Sequence, residues 1–159
     1  MSNAGWTWSL HEKIPSSLPV AHQYLETFLQ ALRDAGWEGR DYFHVQMASE
    51  EALVNAVTHG NKEASDKQVE IEIYISAEEV NLRFKDEGPG FNPNSLPDPR
   101  SEDRIEEVHG RGVWLIREMM SEVRYIGCGN EVVMIRRRND PRFEEDEQDD
   151  DDDDFYTQD

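Results

Sequence analysis

The chain has 159 residues, enough for one domain with a core of its own and too few for two large ones. Its formal charge of −19 is uneven: residues 140–159 hold twelve acids and one Arg, net −11, leaving −8 for residues 1–139. Such a chain gains nothing from counterion release, which argues against nonspecific nucleic-acid binding; no apolar run nears the roughly 20 residues of a membrane span, and one cysteine, Cys128, allows no internal disulfide.

In chain order, "WTWSLHEKI" alternates Trp6, Trp8 and Leu10 as a half-buried strand would. Pro19 opens a helical pattern with Val20, Tyr24, Phe28 and Leu32 at helical spacing, stopped by Gly36. A second helix is expected over about 41–59, with Gly60 as its stop. "VEIEIYI" then alternates Val69, Ile71, Ile73 and Ile75 against Glu70, Glu72 and Tyr74, and "VNLRFKD" answers it across the turn "SAEE". An irregular, Pro-rich stretch over 88–109 has the length of a lid. A third helix begins at "GRGVWLIREMM", and "VRYIGCGNEVVMIR" reads as a closing hairpin turning at 127–130. This order predicts an α/β (α+β) two-layer sandwich, with helices on one face of a mixed, mostly antiparallel sheet. Domain boundaries follow: 1–139 is the folded unit, and 140–159 is expected to be a disordered acidic tail. With no signal peptide visible and no membrane segment, the cytoplasm is the expected compartment.

Three segments hold the chemistry. "EEALVNAVTHG" sets Glu51 and Asn55 four residues apart on one helix face, with Ala48 and Ala52 leaving room beside them. Asn offers a neutral carbonyl oxygen to a hard cation such as Mg2+, and a carboxylate one turn away can take a proton; a plain polar stripe on a solvated helix has the same spacing. In "FKDEGPGF" the apolar row Val80, Leu82, Phe84 is continued by a carboxylate, Asp86. A buried carboxylate needs a partner, and the exocyclic amine of a purine would supply a donor; the alternative is a turn in which Asp86 caps its own backbone amides. Gly88 and Gly90 would let a flat group approach the backbone. In "HGRGVWLI", Gly110 and Gly112 at a helix start would free amides for an anion, or simply make a tight junction. Neither the P-loop nor the dinucleotide fingerprint is present.

Together, in this order and with a lid between the second and third, these segments resemble the N, G1 and G2 boxes of the GHKL ATPase superfamily, whose Bergerat-type fold would follow. The compact chain resembles the bacterial anti-sigma factor serine/threonine-protein kinases of the sporulation and general-stress type over about residues 6–138. The resemblance implies ATP and Mg2+, with Asn55 as the metal ligand and Glu51 as the catalytic base toward water or a protein serine. Asp86 would receive the adenine amino group, Gly88 and Gly90 would shape the adenine pocket, and Gly110, Arg111 and Gly112 would face the phosphates. It also implies two partners, a sigma factor and a small anti-anti-sigma protein of STAS type, and a possible homodimer. Val108 stands where the sporulation-type kinases carry an Arg, with Arg111, Arg100 and Arg104 as candidate replacements. Two other functions fit the boxes: a nonenzymatic, ATP-gated protein-binding module, and a detached histidine-kinase catalytic domain. His44 and His59 read as ordinary helix residues, Trp114, Met119 and Met120 as core or a partner face, and Trp6 and Trp8 as packing on the first helix or a dimer contact.

Overall fold

The computed structural model describes residues 5–90 and 108–144, with the backbone alone over 108–111. Arg100, Arg104, most of the expected lid and the tail beyond 144 lie outside the described residues, as do the side chains of Val108 and Arg111. Eight regular elements follow one another: β1 (Trp8–Pro15), α1 (Leu18–Asp34), α2 (Gly39–Asn55), β2 (Gln68–Ile75), β3 (Glu79–Lys85), α3 (Val108–Met119), β4 (Glu122–Ile126) and β5 (Glu131–Arg137). The strands form one sheet in the order β1-β2-β3-β5-β4, every pairing antiparallel.

The period-2 alternation decides the sheet's two faces. Register aligns Ile71, Phe84, Val132 and Tyr125 in one row across β2, β3, β5 and β4, and Ile73, Leu82, Met134 and Val123 in the next. These rows meet the apolar sides of the helices, where Ala21, Leu25, Phe28, Leu29 and Leu32 of α1 and Val45, Ala48, Ala52 and Leu53 of α2 are buried. Each of the larger side chains among them, the Val, Leu and Phe, contributes about 1.5–3 kcal/mol on burial, so the two layers are held chiefly by this face. On the opposite face Arg83 bridges three strands, donating from Nε to Glu72 at 2.9 Å, from Nη1 to Glu131 at 2.8 Å, and to Glu70. That half-exposed cross-strand network fixes register more than it adds stability.

Helix ends match their sequence signals. Ser17 caps α1 by accepting from the Val20 amide at 3.5 Å, with Pro19 in the first turn. The α1 stripe is rotated from the expected one: Phe28 and Leu32 are buried, but Val20 and Tyr24 only half so, with Ala21, Leu25 and Leu29 taking their place. Trp8 packs on Phe28 at a ring separation of 6.4 Å, whereas Trp6 precedes β1, leaves the alternation and stacks on Tyr74 of the outer face at 5.6 Å. Trp37, between α1 and α2, is buried and donates to the Ser76 carbonyl at 2.8 Å, fastening the helices to the β2–β3 turn.

One charged residue, Arg136, sits on the inner face with no exposed surface. Its guanidinium donates to Asp41 Oδ1 at 2.7 Å and to the Met119 carbonyl at 2.9 Å, and lies 3.5 Å from the centre of the Phe143 ring. Asp41 begins α2, Met119 ends α3, and Phe143 belongs to a single 3-10 turn (Pro141–Phe143), so one side chain joins four segments. Packing therefore continues past residue 139, four residues beyond the expected boundary. No helix among the described residues is long and apolar enough to cross a membrane.

Candidate functional site

α2 does not stop at Gly60 as a regular α-helix. From Ala56 to Gly60 it widens into one π turn, closed by the Asn61 amide on the Ala56 carbonyl at 2.9 Å and the Glu63 amide on the Val57 carbonyl at 2.8 Å. Such turns are uncommon and often lie at functional sites. Its effect here is to bring Gly60 against the segment that leaves β3: a Cβ on Gly60 would overlap the Asp86 carboxyl, and one on Gly88 would overlap the Gly60 carbonyl. Only residues without a side chain allow the two backbones this close.

Asp86 keeps the inner-face position that its parity dictates. It is half-buried, and burial pushes its carboxyl above the ordinary aspartate value, opposed by the Gly88 amide, which donates to Oδ1 at 2.7 Å, and by the charge of Lys67. No other hydrogen bond reaches that carboxylate among the described residues. It faces a small cleft that is open to solvent. Phe84, Ile116 and Val132 give the cleft apolar walls, while Asn55, Asp86 and Asn130 supply its polar groups. Gly90, at φ +73°, lies against the Cys128 carbonyl of the β4–β5 turn and closes one side. Tyr125 also lines the cleft; burial pushes its hydroxyl up to about 12, so it stays protonated.

Glu51 and Asn55 meet as their spacing predicts, with Asn55 Nδ2 3.4 Å from Glu51 Oε1. This turns the amide nitrogen toward the carboxylate, and among the described residues no hydrogen bond engages the Asn55 carbonyl oxygen, an atom type suited to a hard cation. Gly112 packs on both side chains, since a Cβ there would overlap Glu51 Oε1 and approach Asn55 Nδ2. Gly112 is the fifth residue of α3, because the helix starts at Val108, two residues before the expected Gly110. The structure thus brings Glu51, Asn55 and Gly112 together at one end, and Asp86, Gly88 and Gly90 at the other. Gly110 lies within the first turn of α3, and the side chain of Arg111 is outside the described residues.

Several residues of the site were silent in the sequence. Gly60 read only as a helix stop, and Asn61, which is buried without exposed surface, attracted no role. Asn130 lay in a hairpin turn, but its Nδ2 donates to the Asp86 carbonyl at 2.7 Å and its own carbonyl accepts from the Asp86 amide at 2.9 Å. Strand parity was the signal available for Tyr125, which falls in the same row as Phe84. His59 lines the cleft, and His44 faces Phe143 at 5.2 Å. The group His11, Glu70 and Glu72 lies on the outer face, where Arg83 already engages both carboxylates.

The cradle can accept a planar ring carrying an amine against Asp86, and an extended anionic group reaching toward the start of α3, where helix amides and dipole favour negative charge. The family model of the histidine kinase-like ATPase domain matches residues 14–136. A protein named serine-protein kinase RsbW from Listeria innocua is 27% identical over 147 residues, which cover 86% of this chain and 94% of the relative. The RsbW of Listeria monocytogenes is 26% identical over the same length. Serine/threonine-protein kinase BtrW of Bordetella bronchiseptica is 27% identical over 97 residues, 60% of this chain and 68% of its own.

Proposed function

Because the chain belongs to the histidine kinase-like ATPase domain family, we propose that it binds ATP with Mg2+ and acts in the cytoplasm as an anti-sigma factor. In this reading it sequesters a sigma factor and phosphorylates a serine of a STAS-type anti-anti-sigma partner, as a monomer or a homodimer. The observation that carries the reading is Asp86: a half-buried carboxylate facing an open cleft, held among the described residues only by the Gly88 amide. An ionised carboxylate accepts hydrogen bonds and donates none, so it selects a ring with an amine. The kinase names of the relatives support the reaction class.

Each residue then has a task. Asp86 receives the adenine amine, with Gly88 and Gly90 shaping the pocket: Gly60 and Gly88 let the π turn approach the segment that carries Asp86, and Gly90 lets the chain close against the β4–β5 turn. Asn55 would hold Mg2+, which when bound supplies charge neutralisation to the phosphates. Gly110 and Arg111, in the first turn of α3, would face those phosphates, with Gly112 letting that turn pack against Glu51 and Asn55. Glu51 takes the proton of the partner's serine as its oxygen attacks the terminal phosphorus and the bond to the bridging oxygen breaks, releasing ADP. Positioning and electrostatics supply most of the acceleration in such a transfer.

Calorimetric titration with Mg-ATP tests this directly. Intact protein should bind, and Asp86→Ala should lose about a hundredfold or more in affinity, the scale on which sites built around a polar contact reject its absence. Failure of the intact protein to bind up to millimolar ATP would overturn the reading. Val108, in place of the Arg of the sporulation-type kinases, favours one second reading, a nonenzymatic module in which ATP gates protein binding. Glu51→Ala separates the two: the kinase reading expects ATP affinity near that of the parent and phosphate transfer down by about 10² or more.

A further inference from the structure

Asp86 reads a base only if its backbone is held still, because the discriminating contact is a single hydrogen bond whose geometry is lost within an ångström. The turn that carries it is gripped from two sides. From the end of the π turn, Asn61 Oδ1 accepts from the Glu87 amide at 2.7 Å. Its Nδ2 donates to Ser16 Oγ at 2.7 Å and to the Gln68 carbonyl at 2.9 Å, so the carboxamide is anchored in the exit of β1 and the start of β2. Ser16 in turn donates to the Lys67 carbonyl at 2.8 Å, and the Glu87 carboxylate accepts from the Gln68 amide at 2.6 Å. From the β4–β5 turn, Asn130 holds both the amide and the carbonyl of Asp86.

We propose that Asn61 is a positioning residue for nucleotide-base selection, acting through the Glu87 amide to hold the Asp86 carboxylate where it accepts an adenine amine, with Asn130 as its counterpart across the turn. This rests on the nucleotide-binding reading above. A buried asparagine that spends acceptor and donors on three separate segments is suited to the work. Its carboxamide is neutral, so it places no second charge beside Asp86, and burial keeps water from competing for its bonds. Guanine presents a carbonyl oxygen where adenine presents its amine, and an aligned carboxylate repels it. Loosening the turn therefore weakens ATP binding while leaving the weaker GTP binding little changed. The quantity at stake is the preference for ATP over GTP, which a residue needed only for folding does not alter.

The test titrates Mg-ATP and Mg-GTP into the parent, Asn61→Ala, Asn130→Ala and Asp86→Ala, with thermal melts alongside. Asn61→Ala and Asn130→Ala should each lower the ATP-over-GTP affinity ratio by about tenfold. The folded parts of the samples should still bind the triphosphate. If both variants fold and keep the ratio within about twofold of the parent, the proposal is overturned even where their melting points have dropped. Should Asn61→Ala fail to fold, Asn130→Ala decides by the same criterion. Asp86→Ala is the control for the underlying reading: a parental ratio there would remove the base contact itself, and this inference with it.

Discussion

The inner face of the sheet carries a charge at each of two ends, and the two are treated in opposite ways. Arg136, on β5, is paired with Asp41, donates to the Met119 carbonyl at the end of α3 and lies on the Phe143 ring, all within the protein. Asp86, just past β3, has one backbone amide and an open cleft. Desolvation works against both charges, pulling the guanidinium down from its ordinary value and pushing the carboxyl up. What differs is the source of compensation. A buried charge supplied with partners by its own chain joins elements together, whereas one left with a cavity in front of it marks where a ligand completes the structure.

The comparison breaks most readily at the Arg136 end. Asp41→Ala leaves the guanidinium buried without its counter-charge and should destabilise the protein by about 3–5 kcal/mol, measured by urea denaturation. A loss below about 1 kcal/mol would mean that Phe143 and the Met119 carbonyl suffice, and that the ion pair joins nothing. Gly60→Ala probes the other end. The new methyl displaces the Asp86 carboxyl, so Mg-ATP affinity should fall by about tenfold or more while the melting point moves little, because the crowding is at the cleft and not in the core. Unchanged ATP affinity would show that the carboxylate is free to move without consequence. Arg136→Met sharpens the contrast, since replacing a buried ion by an apolar chain of similar length is often close to neutral. Made together with Asp41→Ala, it should recover most of the loss.

How far the sequence disclosed these two ends follows from the range of the interactions. Alternation in β2 and β3 is local, so the faces of the sheet, the helices above them and the odd carboxylate Asp86 were all legible. Glu51 and Asn55 were legible for the same reason, being one helical turn apart. Arg136 was hidden in a basic triplet: parity turns it inward and Arg137 outward, but its partner Asp41 lies 95 residues earlier, and no local pattern pairs them. Trp6 broke the alternation because the strand begins two residues later, at Trp8. Gly60 and Asn61 depended on a π turn, which has no residue signature of its own and whose purpose is visible only once β3 lies beside it. Local periodicity yields elements and faces; the contacts that hold a site still come from segments remote in sequence.

The smallest effect concerns Asp86 in the unliganded protein. Its folded-state carboxyl is raised by burial, so the native state binds a proton more readily than the unfolded chain, and stability falls as pH rises from the ordinary aspartate value of about 4 through the raised one. Above that window the charge is a standing cost, and below it the cost vanishes. Asp86→Asn keeps the shape and an oxygen for the Gly88 amide but carries no charge. Its melting point should exceed the parent's by about 2 °C at pH 7.5 and equal it near pH 3.5, while the stabilisation that saturating Mg-ATP gives the parent should be absent. A variant less stable than the parent at both pH values would mean that the carboxylate is paired from within, as Arg136 is with Asp41. The two ends of the sheet would then be alike, and Asp86 would lose its claim to a ligand.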